Sequence, residues 1–258
     1  MTYLQFLLIF LVPLILLEIW YVRKKFPGQG RVMAAGIGFL SFVAVVYTTP
    51  WDNYLVKHKI WWYGPDKVLG VIGYVPIEEY AFFVLQTVLT GLYLYIVRRP
   101  FRPESHQPDY SVPRLTGSMV YLLLSILGWI MLFTDSFRYL GLILGWACPV
   151  MLLQFSLGGH RLWQTRQRSC FVIATSTLYL CLADALAIGL EIWTISPTFT
   201  TGIKFGTLPL EEAIFFLATN IMVVQGLELA WSFWEGWELK LSPTLGWNRS
   251  KNSQLSSP

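Results

Sequence analysis

Two pairs of glutamates open long apolar runs. Glu78-Glu79 follows Pro76 and Glu211-Glu212 follows Pro209, and each pair is soon succeeded by Phe-Phe, Phe82-Phe83 and Phe215-Phe216. A proline at the first helical position and acids in the first turn, where they complement the helix dipole, account for one such motif without chemistry. Two copies are harder to dismiss, because an ionised acid costs about 2.5–3.5 kcal/mol at the centre of a membrane span, and less near its end. Neighbouring helical residues diverge by about 100°, so one glutamate of each pair points into a pocket and the other flanks or supports it. A proton shared within such a pair is the arrangement by which two carboxylates do acid and base work.

The context repeats as well. Asp52 precedes Trp61 by nine positions and Asp184 precedes Trp193 by nine; Trp61 to Pro65 and Trp193 to Pro197 are both four; Pro65 to Pro76 is eleven and Pro197 to Pro209 is twelve. Around the acids lie Trp51, Trp61, Trp62, Tyr63, Tyr74, Phe82 and Phe83 in the first copy, and Trp193, Phe199, Phe205, Phe215 and Phe216 in the second. Aromatic residues also belt membrane interfaces. Several ring faces around a pocket would in addition stabilise a cation. A proton donor beside such rings suits acid-initiated chemistry on an alkene. The candidate catalytic residues are therefore Glu78, Glu79, Glu211 and Glu212, and the candidate substrate-binding residues are Asp52, Trp61, Trp62, Phe82, Phe83, Asp184, Trp193, Phe215 and Phe216.

The elements that must position these residues are membrane helices. Of 258 residues, 55% are hydrophobic and 13% charged, against roughly 45–50% and about 25% in soluble domains, and the mean hydropathy is +0.52. Seven runs approach the ~20 residues that cross a bilayer: Thr2–Val22, Met33–Thr49, Pro76–Val97, Leu115–Phe133, Tyr139–Leu157, Phe171–Leu190 and Pro209–Trp231. The expected fold is an all-α membrane protein of seven transmembrane helices with a parallel internal duplication, spans one to three and five to seven. Its divisions are 1–114 (first unit and connection), 115–137 (linking helix), 138–234 (second unit) and 235–258 (a polar, disordered cytoplasmic tail). The first run lacks a basic start and a small-residue cleavage site and ends in Arg23-Lys24-Lys25, so it is expected to be retained rather than removed as a signal peptide.

Orientation follows from positive charge. With the N-terminus outside, 14 of the 19 Lys and Arg residues fall on inner segments and 5 on outer ones. Both Glu pairs then sit at outer helix ends of a multi-pass protein, in the plasma membrane if the source is prokaryotic. The net charge of +4 is thus flanking charge, and no nucleic-acid partner is expected. Cys148, Cys170 and Cys181 are odd in number with no CxxC spacing, and His58, His106 and His160 fall in connections without a second ligand, so neither a disulfide framework nor a metal site is expected. Glu18 is expected to pair with Arg23 or reach the interface. Gln86 and Asn220 either hydrogen-bond the carboxyls or bridge helices.

The PIEEYAFF and PLEEAIFF motifs, with WDN upstream of WWYGP in the first unit, resemble the lycopene cyclase domain of the small, membrane-embedded, non-flavin class. That class occurs as two subunits, as one fused chain, or as the front part of fungal bifunctional enzymes. The likeness covers both halves, so the chain is similar to the fused lycopene β-cyclase form with two tandem copies. In the second unit Ala183-Asp184-Ala185 stands for Trp51-Asp52-Asn53 and Thr194-Ile195 for Trp62-Tyr63, so equal activity of the halves does not follow. The resemblance implies an intramolecular lyase or isomerase of carotenoid biosynthesis that converts lycopene through γ-carotene to β-carotene. A ψ end group is protonated, the tertiary cation is attacked by the next alkene, and proton loss leaves a β-ionone ring. It implies a lipophilic carotenoid substrate in the lipid bilayer and no redox cofactor, consistent with the lack of a GxGxxG fingerprint, and it is compatible with association with other carotenoid enzymes.

Other classes fit less well. A retinal protein needs a lysine in the last span, and Pro209–Trp231 contains none. A membrane prenyltransferase needs Asp-rich Mg²⁺ sites, whereas Asp52 and Asp184 are solitary. A proton-coupled transporter or channel using the intramembrane Glu pairs remains the alternative, against which Glu18 and Glu228 form no chain across the bilayer. The charge bias predicts that a reporter fused after Lys251 is active only in its cytoplasmic form; activity of the translocated form would reverse the sides.

Overall fold

The computed structural model describes residues 1–27, 30–98 and 111–241. Within them lie seven helices long and apolar enough to cross a membrane. They are α1 (Tyr3–Lys25), α2 (Gly30–Lys57), α3 (Ile77–Arg98), α4 (Ser111–Met131), α5 (Arg138–Gln164), α6 (Arg166–Gly189) and α7 (Leu210–Leu241). Each expected span has its helix. Large apolar side chains such as Phe42, Leu123, Trp129 and Leu182 stand exposed on the flanks, a surface suited to lipid rather than water.

The differences lie at the ends. The second helix passes through Pro50 to Lys57 instead of stopping at Thr49. A proline inside a helix removes one ladder bond; here Thr49 Oγ1 donates to the Val45 carbonyl at 2.6 Å and Asn53 Nδ2 to the Thr49 carbonyl at 2.9 Å, so side chains make up polar contacts around the break. Asp52 is thereby carried on a helix. The connection expected between Leu157 and Phe171 shrinks to a turn at Thr165, because α5 kinks at Gly158 (φ −140°) and continues, taking His160 into the helix. Helix α7 runs to Leu241, past the expected start of the tail. His106 and the tail from 242 onward lie outside the described residues.

Helices α3 and α7 form the centre: α3 touches α1, α2, α6 and α7, and α7 touches α2, α3, α5 and α6. A buried polar layer ties them together. Gln86 donates to Thr219 Oγ1 (2.7 Å), Thr90 to Asn220 Oδ1 (2.8 Å), and Asn220 to Thr177 Oγ1 of α6 (3.1 Å). Gln86 and Asn220 thus bridge helices and leave the carboxyls to other partners. Helix α4 lies against α5 at glycines: a Cβ on Gly128 would meet the Gly145 nitrogen at 2.6 Å, and one on Gly141 the Gly128 carbonyl at 2.7 Å. Such backbone approach is what small residues allow between membrane helices.

At one end of the bundle two connections carry short strands that the sequence pattern did not reveal. They are β1 (Trp61–Tyr63), β2 (Val71–Ile72) and β3 (Val75–Pro76) after α2, and β4 (Trp193–Ile195), β5 (Lys204–Phe205) and β6 (Leu208–Pro209) after α6. Strands β1 and β4 pair antiparallel with Trp62 opposite Thr194, joining the two connections. The hairpins β2–β3 and β5–β6 turn at Gly73 (φ 69°) and Gly206 (φ 66°), where a residue without a Cβ is favoured.

Glu18 and Arg168 depart from expectation. Glu18 is buried and its Oε2 meets no donor, since residues five apart on a helix face directions about 140° apart and Arg23 lies round the side. Arg168, read as a flanking charge, is buried in α6, where its Nε and Nη2 donate to Glu228 Oε1 and Oε2 at 2.8 and 2.7 Å. Glu228 is 0% exposed and Arg168 4%. Removing one partner of a buried bidentate pair strands the other charge, at about 3–5 kcal/mol. Glu228→Gln should therefore lower the thermal midpoint in detergent sharply, and the double replacement Arg168→Met, Glu228→Leu should recover most of the loss.

Candidate active site

Each Glu pair divides at the first turn of its helix. Glu78 Oε1 accepts the Leu69 backbone N–H (2.8 Å) and Glu211 Oε1 accepts that of Thr201 (2.6 Å). These carboxylates fasten the connections to the starts of α3 and α7, and both are buried. One residue on, the helix has turned by about 100°. Glu79 accepts the Tyr3 hydroxyl (2.5 Å) and Glu212 that of Tyr139 (2.7 Å).

The tyrosines are fixed in turn by their backbones. Tyr3 N–H donates to the Lys67 carbonyl at 2.8 Å, and Tyr139 N–H to the Phe199 carbonyl at 3.0 Å. Both begin helices, α1 and α5, so the phenols arrive at the same end as the glutamates.

The aspartates enter from the last turns of α2 and α6. Helix α2 closes with Lys59 left-handed (φ 57°), Ile60 N–H to the Leu55 carbonyl and Lys59 N–H to that of Val56; α6 closes likewise at Glu191 (φ 53°), with Ile192 to Ala187 and Glu191 to Ile188. This is the Schellman arrangement of bonds, with Ile60 and Ile192 both fully buried. It turns the chain back over the helix end. The nine-residue spacing then brings Trp61 Nε1 to Asp52 Oδ1 at 3.0 Å and Trp193 Nε1 to Asp184 Oδ1 at 2.9 Å. The other oxygen of each aspartate, Oδ2, is buried with no hydrogen-bond partner.

Asp52, Glu79, Asp184 and Glu212 line one cavity, with Trp61, Phe82, Trp193, Phe215 and Phe216 from the candidate set. Its walls are largely rings: Tyr3 packs on Trp193 (4.8 Å between centroids), Trp51 stacks on Phe215 (5.8 Å), and Phe82 meets Phe216 edge-on (6.2 Å). The void is about 50 Å³, room for a few waters at about 10–15 Å³ of such space each. Four candidates stand elsewhere. Glu78 and Glu211 hold loops, Trp62 lies in the β1–β4 ladder, and Phe83 packs on Tyr80 at 6.0 Å.

Tyr3, Phe6, Tyr139, Leu180 and Ile195 also line the cavity and were not singled out from the sequence. A signal for the tyrosines existed: Tyr3-Leu4 precedes Pro13 by ten positions and Tyr139-Leu140 precedes Pro149 by ten, at the starts of α1 and α5. Chemically, carboxyls on more than one wall can give a proton to a carbon and take another back, and ring faces between them can stabilise positive charge.

Residues 1–97 and 136–230 match the sequence model of the lycopene cyclase family. The chain is 39% identical over 231 residues to a lycopene beta-cyclase of Halobacterium salinarum, covering 89% of this chain and 96% of that protein. It is 38% identical to a bifunctional lycopene cyclase/phytoene synthase of Podospora anserina and 34% identical to one of Phycomyces blakesleeanus, covering 78% and 87% of this chain but only 36% and 38% of those longer proteins. No solved structure matches. With the family model covering most of the sequence, the chain belongs to the lycopene cyclase family.

Proposed function

We propose that this chain cyclises the ψ end groups of lycopene to β-ionone rings, giving γ-carotene and then β-carotene. The observation that carries the reading is one aromatic-walled cavity that holds carboxylates from both halves of the chain, in a member of this family. A carboxyl proton adds to the terminal double bond; the tertiary cation, faced by rings, is attacked by the neighbouring alkene; a carboxylate removes a proton from the cyclised cation. Protons balance and no electrons are transferred. We assign the proton transfers to Glu79 and Glu212, poised by Tyr3 and Tyr139, and the wall that receives the end group to Asp52, Asp184 and the rings. Glu78 and Glu211 are positioning residues.

Further readings belong to the same proposal. The chain is two tandem copies with a linking helix, divided at 1–114, 115–137 and 138–234; what supports this is that the hydrogen bonds of Tyr3, Asp52, Glu78 and Glu79 each have a counterpart at Tyr139, Asp184, Glu211 and Glu212. The N-terminus lies outside and the C-terminus in the cytoplasm, on the charge bias. The bilayer supplies the substrate, and association with other carotenoid enzymes would pass it on.

Expression in a lycopene-accumulating host, followed by chromatography of the pigments, tests the activity directly. Glu79→Gln and Glu212→Gln keep shape but lose the transferable proton, and each alone should lower cyclisation by about 10²–10⁴-fold, with both one-ring and two-ring products lost together because the cavity is shared. Glu78→Gln still accepts the Leu69 N–H and should stay within about tenfold of the parent, one hydrogen bond's worth. Parent-level pigment from the Glu79 and Glu212 variants at equal protein would sink the assignment. Because protons balance, membranes freed of nicotinamide and flavin should retain conversion, and strict dependence on an oxidised nicotinamide would refute the mechanism.

A further inference from the structure

A void of about 50 Å³ is far smaller than a long polyene. Only an end group can enter it, after the side chains yield, and the conjugated chain must leave through a wall. Trp51 borders both that cavity and a groove of about 520 Å³ on the flank between α2 and α5. The groove is lined chiefly by apolar groups of α2, among them Val43, Val46 and Pro50, with Trp146 of α5 opposite. Val43 and Val46 are exposed, so the groove is open to the surface that faces lipid.

Four rings connect the two spaces. Tyr47 stacks on Trp146 (5.6 Å, 17° between planes), Trp146 on Trp51 (4.5 Å, 17°), and Trp51 on Phe215 (5.8 Å, 5°). Hydrogen bonds to helix carbonyls hold the stack: Trp51 Nε1 donates to Leu142 at 3.2 Å and Tyr47 to Trp146 at 2.9 Å. Parallel flat faces present an extended apolar π surface, which matches a planar conjugated chain better than a saturated one. Among the described residues the corresponding stack in the other half is broken. Tyr179 corresponds to Tyr47 and donates to the Phe10 carbonyl at 2.5 Å, but Ala183 stands where the first half has Trp51.

Resting on the cyclase reading, we propose that the α2–α5 groove seats the conjugated chain of the linear polyene while its end group occupies the cavity, and that Trp51 is the positioning residue at the junction. The substrate then enters sideways from the bilayer, on one flank of the protein. Val46→Trp would fill the groove without touching the cavity. Leu182→Trp, an equally exposed position on α6 outside the groove, is the control.

The test compares lycopene with a truncated acyclic polyene that carries one ψ end group on a short chain. It follows both turnover and binding, the latter by quenching of tryptophan fluorescence in detergent micelles. Val46→Trp should raise KM and Kd for lycopene at least about tenfold, the scale on which a tight apolar pocket discriminates, and leave kcat/KM for the short substrate within about twofold; Leu182→Trp should change neither. Equal loss with both substrates, or no loss with either, overturns the groove and leaves the cyclase reading intact. Lycopene binding that depends on Val46 in a wild-type protein that forms no ring supports the groove and overturns the chemistry.

Discussion

Carboxylates withdrawn from water have to be met by donors, and the architecture of this protein follows from how six of them are met at one end of a helix bundle. An unpaired buried charge is among the most expensive features a protein can carry. Among the described residues no lysine or arginine forms an ion pair with them. Backbone N–H groups hold Glu78 and Glu211, indoles hold Asp52 and Asp184, and phenols hold Glu79 and Glu212. Each donor is neutral and either rigid or fixed by the backbone. A lysine or arginine would have neutralised the acids; a neutral donor orients them and leaves oxygen positions open, as the unpartnered Oδ2 atoms of both aspartates show.

This solution sets requirements on the elements. A phenol reaches a helix-start glutamate only if another helix starts beside it, which is why α1 and α5 are anchored by their first residues to the connections over the site. An indole reaches back to an aspartate only if the chain reverses within a few residues, and the left-handed turns at Lys59 and Glu191 provide the reversal. The β1–β4 ladder then clamps the two connections together. Helices α3 and α7 lie side by side beneath, joined by Gln86, Thr90, Thr219 and Asn220, so the two Glu pairs cannot drift apart. The polar layer deep between these helices and the carboxylates above it are thus separate systems with one purpose: holding relative position.

Much of this was legible because membrane helices announce themselves by length and apolarity, and because acids at their starts are conspicuous. The Asp-to-Trp spacing of nine was visible as a repeat, and its geometry was not: it needed a residue with positive φ at Lys59 and Glu191, types that carry no turn signal in the sequence. Strands of two or three residues have no period to detect. Asp52 looked like part of a connection because Pro50 reads as a helix stop, whereas Thr49 and Asn53 supply side-chain bonds on either side of it. Tyr3 and Tyr139 were hidden for another reason. A tyrosine at the edge of a membrane span is ordinary in the interfacial belt, and only the shared ten-residue distance to a proline marks these two.

The halves agree in the donors that meet the six carboxylates around the site and differ away from them. Trp51 answers to Ala183, and deeper in the bundle the Arg168–Glu228 pair answers to Gly36 and Tyr95. In that first-half arrangement Gly36 leaves room for Trp231, whose Nε1 would lie 2.4 Å from an added Cβ, and Tyr95 meets the same indole edge-on. Packing tolerates such exchange as long as space is filled, while a hydrogen bond to a carboxylate tolerates a shift of only a few tenths of an ångström before it weakens. The acids of the cavity are thus met by the same donors in both halves, while the ring that borders them on one flank, Trp51, has only Ala183 as its counterpart.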